Sequence, residues 1–150
     1  MNSYARFGVM IATSTIVMFG LMYLNTYAID HALFSETRTY MALVMGAAMA
    51  VIMLAFMPAM YPNRRANAGI VDGSAALFVV ALWLVRSQAT VDDMAWMKAM
   101  IPHHSIAILT SERAQLTDPR VRTLADGIIR TQRQEIGEMK ALIEDLRNSR

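Results

Sequence analysis

The chain has 150 residues, 55% of them hydrophobic, with a formal net charge of +2 and no cysteine. That length holds one domain, or a membrane segment with one small soluble unit, and so apolar a composition excludes an ordinary water-soluble globule. The absence of cysteine removes disulfides, thiolate metal sites and cysteine nucleophiles, and the small net charge without a Lys/Arg cluster argues against a nucleic-acid partner.

The apolar residues come in blocks. Residues 7–29 and 39–63 carry no charged side chain, and a third block, 73–85, begins just after Asp72. A bilayer core takes about 20 helical residues. Three membrane helices are therefore expected at 7–28, 39–60 and 67–87, making residues 1–88 a membrane domain. The first block exceeds the apolar region of a signal peptide and lacks a small-residue cleavage site, so an uncleaved signal anchor is expected. Arg64 and Arg65 in the second short loop place that loop in the cytoplasm by the positive-inside rule. The amino terminus is then cytoplasmic, the His31 loop outside and everything after Arg86 extracytoplasmic, in an inner (cytoplasmic) membrane. Tyr23, Tyr27 and Tyr40 at the outer ends, with Tyr4 and Tyr61 at the inner ends, fit interfacial aromatic belts.

The second block places methionine at 41, 45, 49, 53, 57 and 60. A step of four residues advances 40° around a helix, so the band winds about 160° from Met41 to Met57 over about 24 Å. Methionine fills irregular gaps and is apolar enough for lipid; its sulfur is also a soft metal ligand. Packing and metal contact both remain open for this stripe. With 14 methionines against 14 Lys and Arg together, soft-metal chemistry would fall to thioethers, with imidazole as the borderline donor. Met18, Met22, Met41, Met45, Met94, Met97 and Met100 all fall toward the outer side in this topology. Gly69 and Gly73 form a GxxxG, readable as close helix packing or as chance. Asp72 between them reads as an interfacial residue.

Residues 89–150 read as two amphipathic helices, at 91–115 and 119–148. Thr90 and Asp93 have capping-box spacing, and Asp118 followed by Pro119 starts the second helix. Two such helices cannot enclose each other's apolar faces, and domains this small rarely carry enough core alone. A homodimer or higher homo-oligomer is expected, the dimer through a seam of Ile128, Gln132, Ile136 and Met139.

Residues 97–108, MKAMIPHHSIAI, followed by residues 119–139, PRVRTLADGIIRTQRQEIGEM, resemble the family called domain of unknown function 305. The shared pattern is an M-I-P-H-H turn and a downstream helix with L-A, I-I, Q and E-I-x-x-M. The resemblance covers roughly the last 60 residues. It implies a ferritin-like helical bundle, exported or outward-facing, with members that bind copper through Met and His. Longer members resemble two copies of the hairpin; this chain has one, so a second chain is expected to complete a four-helix bundle.

The residues themselves support two readings. Pro102 removes a backbone donor and crowds the preceding turn, a way to form a site beside the histidines. Met100 pairs with His103 at i,i+3 and with His104 at i,i+4, and Met97 lies a further turn away. His103, His104, Met100 and Met97 are therefore the candidate metal ligands, for copper, with Cu(I) favoured by thioether and imidazole together. Gln132, Glu135, Met139, Met94 and His31 are possible outer or auxiliary groups. In the alternative, His104 is a hydrogen-bonded histidine beside Ile101 and Ile108, His103 faces solvent, and Gln132 bonds across the hairpin or a dimer seam. No Glu-x-x-His pattern supports a di-iron site, and no Ser, His and acid arrangement or phosphate-binding glycine loop suggests another enzyme. The expected function is an outward-facing membrane protein that handles copper or confers tolerance to it. The alternative is a non-catalytic accessory subunit of a larger membrane complex, with methionine used only for packing.

Overall fold

The computed structural model describes residues 2–149, so Met1 and Arg150, the expected outer bounds of the two domains, lie outside the described residues. Among the described residues every regular element is helical: α1 Ser3–Leu21, α2 Glu36–Phe56, α3 Arg64–Ser87, α4 Asp93–Arg113 and α5 Pro119–Asn148, with short 3-10 turns at Ile29–His31 and Pro58–Met60. The chain divides into two units. One comprises Met1–Met22 and Thr37–Thr90, the other Tyr23–Glu36 and Val91–Arg150. The connection between α1 and α2, within the expected membrane domain of residues 1–88, falls in the second unit.

In the first unit, α1, α2 and α3 are each long and apolar enough to cross a membrane. Asn2 caps α1 by accepting the Ala5 N–H at 2.7 Å. Asn63 caps α3, accepting from Arg65 and Ala66, which starts that helix three residues earlier than expected. Pro58 lacks the N–H a helix needs and disfavours α geometry in the residue before it, so α2 stops at Phe56 rather than 60. At its far end α3 closes on Gln88, in the left-handed region at φ 53°. The Gln88 side chain donates to the Val85 carbonyl at 2.6 Å.

The buried face of α2 is made of small residues and one leucine: Ala42, Gly46, Ala47, Ala50 and Leu54. Of the methionine stripe, Met53 and Met57 pack against the cluster of Phe7, Ala50, Leu54 and Tyr61. Met41 and Met60 are exposed, so the stripe flanks the contact face. At Gly46 α1 approaches closely: a Cβ there would run into Thr15 Oγ1 and sit 3.2 Å from Thr15 Cγ2. Thr15 is fixed by its own hydrogen bond to the Ile11 carbonyl at 2.8 Å. Gly46→Leu should therefore lower the stability of this unit by about 1–3 kcal/mol through overpacking, read as a lower melting temperature in detergent, with Gly69→Leu as the neutral comparison because nothing lies within 4 Å of a Cβ at Gly69.

In the second unit α4 and α5 form a hairpin. Its core is Met97, Ile101, Ile108, Ile136, Met139 and Ile143, flanked by Leu33, Met94, Met100, Ile129 and Leu146. The α4 cap is Asp92, whose carboxylate accepts the Ala95 N–H at 2.7 Å; Thr90, the expected cap, lies outside the helix. Asp118 caps α5 as expected, accepting from Arg120 at 2.8 Å. Tyr23–Glu36 packs on this hairpin, and that explains why α1 ends at Leu21 rather than 28. The Tyr27 N–H, which a continuing helix would direct to its own preceding turn, donates to Ser105 Oγ on α4 at 2.7 Å. Lys140 reaches Asp30 at 2.5 Å, and Arg133 pairs with Glu112 while its guanidinium lies 5.7 Å from the Tyr27 ring centre. Leu33 of this segment packs against the hairpin core. Of the proposed seam, Ile136 and Met139 are core residues, and only Ile128 is exposed, together with Leu124 and Leu142.

Candidate functional site

His104 stands one turn beyond Met100 and two beyond Trp96 on α4, and Glu135, Glu138, Met139 and Leu142 face them from α5. These seven side chains line a cavity of about 410 Å³. The i,i+4 spacing of α4 and the i,i+4 and i,i+3 spacings of α5 bring them to one side of the hairpin. Two thioethers, one imidazole and two carboxylates are the chemically distinctive members.

Glu135 Oε2 approaches His104 Nδ1 at 3.0 Å, with the two side chains 14% and 42% exposed. The approach is within ion-pair reach but off the line of the ring N–H, so Nδ1 is a buried nitrogen without a well-directed hydrogen bond. Gln132 Nε2 donates to the same carboxylate oxygen at 3.3 Å. Gln132 and His104 thus both approach the Glu135 carboxylate. Burial pulls the His104 pKa below the ordinary 6.5, Glu135 opposes that shift, and the neighbouring His103 adds to it. The imidazole is accordingly neutral at neutral pH. With Nδ1 turned toward a carboxylate, the tautomer assigned on that contact leaves Nε2 as the nitrogen able to accept a metal.

Comparison with known proteins bears on this unit. Residues 87–150 match the family described as "Domain of unknown function (DUF305)". The carboxy-terminal segment is a DUF305 domain. An uncharacterized protein of Acanthamoeba polyphaga mimivirus is 37% identical over 71 residues, which cover 46% of this chain and 47% of that protein. The chain therefore spans about half the length of this curated relative. No solved structure matches the chain.

The other expected donors are placed differently. His103 is exposed, its ring centre 6.3 Å from that of His104 and tilted 60° to it. Met97 is 5% exposed inside the core and does not line the cavity, because the residue three before Met100 falls on the face turned toward Ile136 and Ile143. Met94 packs on the same core. His31 is drawn elsewhere: its Nδ1 lies 2.9 Å from Ser105 Oγ. Met139, placed among the auxiliary groups, lines the cavity directly. Among the described residues no three His, Asp or Glu side chains converge as a metal cluster, so a metal in this cavity would depend on the thioethers.

Ser105 was not singled out by the sequence. Its hydroxyl has no exposed surface, accepts the Tyr27 N–H and shares a hydrogen bond with His31, fastening Tyr23–Glu36 to α4. The signal available was a polar residue at the centre of an apolar helix, which needs a partner when buried. Ser105, His31 and the adjacent Asp30 bring together the residue types of a hydrolytic triad. A nucleophile must nevertheless be reachable by its substrate, and Ser105 is sealed while Asp30 is engaged by Lys140.

Proposed function

We propose that the DUF305 domain is a copper-binding module carried on a membrane domain, with Cu(I) as the favoured ion and copper handling or tolerance as its role. The observation that carries this reading is the gathering of Met100, Met139 and His104 around one cavity, with Glu135 behind His104. Two soft thioethers and a neutral imidazole fit Cu(I) better than a hard cation. A carboxylate on the other ring nitrogen orients the imidazole and raises its basicity, and Gln132 in turn steadies the carboxylate. When bound, copper supplies no reaction here; the residues hold it and release it. His103, exposed one position away, is an entry ligand in this reading.

The orientation that serves the role is the one expected from Arg64 and Arg65, with the DUF305 domain outside the cytoplasm. A homodimer remains part of the proposal, its contact now resting on Leu124, Ile128, Leu142 and Trp96, which are 65%, 37%, 53% and 50% exposed. Trp96 and Leu142 also rim the cavity, and that exposed apolar rim supports a second reading, in which this face docks a larger membrane complex and the sulfurs only pack. Metal analysis of the full chain purified in detergent, with and without added Cu(I), separates the two. The copper reading expects stoichiometric retention and a higher melting temperature; the accessory reading expects neither.

A further inference from the structure

The first unit holds a larger cavity than the copper candidate, about 780 Å³, between α1, α2 and α3. Gly8, Gly69 and Gly73 line it, and a Cβ at any of the three would meet nothing within 4 Å. Glycine within a helix costs roughly 0.5–1 kcal/mol relative to alanine. At Gly46 the close approach of Thr15 accounts for it, but no contact among the described residues accounts for the other three. Their smallness leaves room for something else.

Length identifies the occupant. The lining runs from Tyr4 to Ile16 on α1 and from Ala66 to Leu77 on α3, about 16–18 Å at 1.5 Å per residue. That is close to half of a hydrocarbon core about 30 Å thick. A transmembrane helix from another protein would need the full thickness, whereas an acyl chain of one leaflet needs only half. The groove is also closed off chemically at one end. Tyr4 Oη accepts the Asn63 N–H at 2.9 Å and donates to Asn67 Oδ1 at 2.9 Å, joining the start of α1 to the start of α3. Arg6, Arg64 and Arg65 lie within two residues of these lining positions and are all exposed. Among the described residues none of the three forms an ion pair. Asp72 is also exposed on α3 but lies a turn or more from this end. Copies of a membrane protein share one orientation, so a second copy seated in the groove would bring its own three arginines to the same depth, and like charges would oppose it.

We propose that this groove binds an anionic phospholipid, one acyl chain lying along Gly8, Gly69 and Gly73 and the phosphate held by Arg6, Arg64 and Arg65. Basic pockets between membrane helices are suited to such headgroups. The test uses the full chain in nanodiscs, or released from them for native mass spectrometry, with phosphatidylglycerol and phosphatidylcholine of the same acyl composition as probes. The parent protein should retain phosphatidylglycerol preferentially. Each basic residue near an anionic headgroup changes affinity by about fivefold, so the triple variant Arg6→Gln, Arg64→Gln, Arg65→Gln should lose preference by up to about a hundredfold. Gly73→Leu and Gly69→Leu should fill the groove and expel the lipid of either headgroup while helix content and the melting temperature hold. Equal retention of the two lipids by the parent, undiminished retention by Gly73→Leu, or capture of a second copy by a photo-crosslinker placed at Gly73 would each overturn the assignment.

Discussion

Ile101→Ala should unfold the DUF305 domain at or near physiological temperature. Ile101 has no exposed surface and sits at the middle of the six-residue core that joins α4 to α5. Removing its branched side chain forfeits the burial of three carbons and leaves a cavity, because the neighbouring Ile136 and Ile143 belong to a second helix that cannot collapse freely; such changes cost about 2–5 kcal/mol. A core this small rarely supplies more than about 3–5 kcal/mol, so the loss is comparable with the whole. Limited proteolysis of the full chain in detergent should show rapid cleavage within residues 91–149 of the variant and protection in the parent. Leu124→Ala removes a side chain of similar size that is 65% exposed and should stay within about 0.5 kcal/mol of the parent. Equal protection of Ile101→Ala and parent would mean that the stability of this unit comes from somewhere other than the hairpin core.

The contrast between those two positions also shows what the sequence could carry. Ile101, Ile108, Ile136 and Ile143 recur at helical spacing, and a period of 3.6 marks a buried stripe without knowledge of its partner. The charge-free runs announced α1, α2 and α3 in the same way, since a bilayer imposes its thickness on any helix that crosses it. Spacing fails where a segment without periodicity supplies the contact. Tyr23–Glu36 has no apolar repeat, and its attachment rests on separate long-range contacts, among them the hydrogen bonds of Ser105 with Tyr27 and His31, more than 70 positions away, and the Asp30–Lys140 ion pair. Ile136 and Met139, expected in a dimer seam, are buried in the hairpin core of the single chain. The placement of the candidate donors escapes spacing for a related reason. Met100 lies one turn from the histidines along the chain and Met97 a further turn away, but only the position of α5 decides that Met97 faces the core and Met100 the cavity. Met139, distant in sequence, joins them for the same reason.

His104→Ala should abolish any stabilisation of the chain by Cu(I), whereas His103→Ala should reduce it without abolishing it. His104 is the one imidazole lining the cavity with Met100 and Met139, and its Nδ1 is already committed toward Glu135. Loss of an outer partner of a metal ligand costs about 10–100-fold in affinity, so Glu135→Gln, which keeps the shape but not the charge, should fall in that range, and loss of the ligand itself should exceed it. The pH dependence follows from the same geometry. A metal needs the neutral ring, and burial holds the His104 pKa below the ordinary 6.5; protons should therefore compete with copper only below that value. The same shift means that the unfolded chain binds more protons than the folded one just below pH 6.5. Stability contributed by the neutral ring is complete above that pH and is lost as pH falls through the lower folded value. A site built of thioethers alone would keep its copper across this range, since Met does not titrate. Copper titrations monitored by melting temperature from neutral to mildly acidic pH should show affinity held at neutrality and falling in acid for the parent, and no such fall for whatever residual binding His104→Ala retains. If His104→Ala binds Cu(I) as tightly as the parent with the same acid limb, the cavity is not the copper site and the exposed apolar rim of Trp96 and Leu142 becomes the feature that explains this domain.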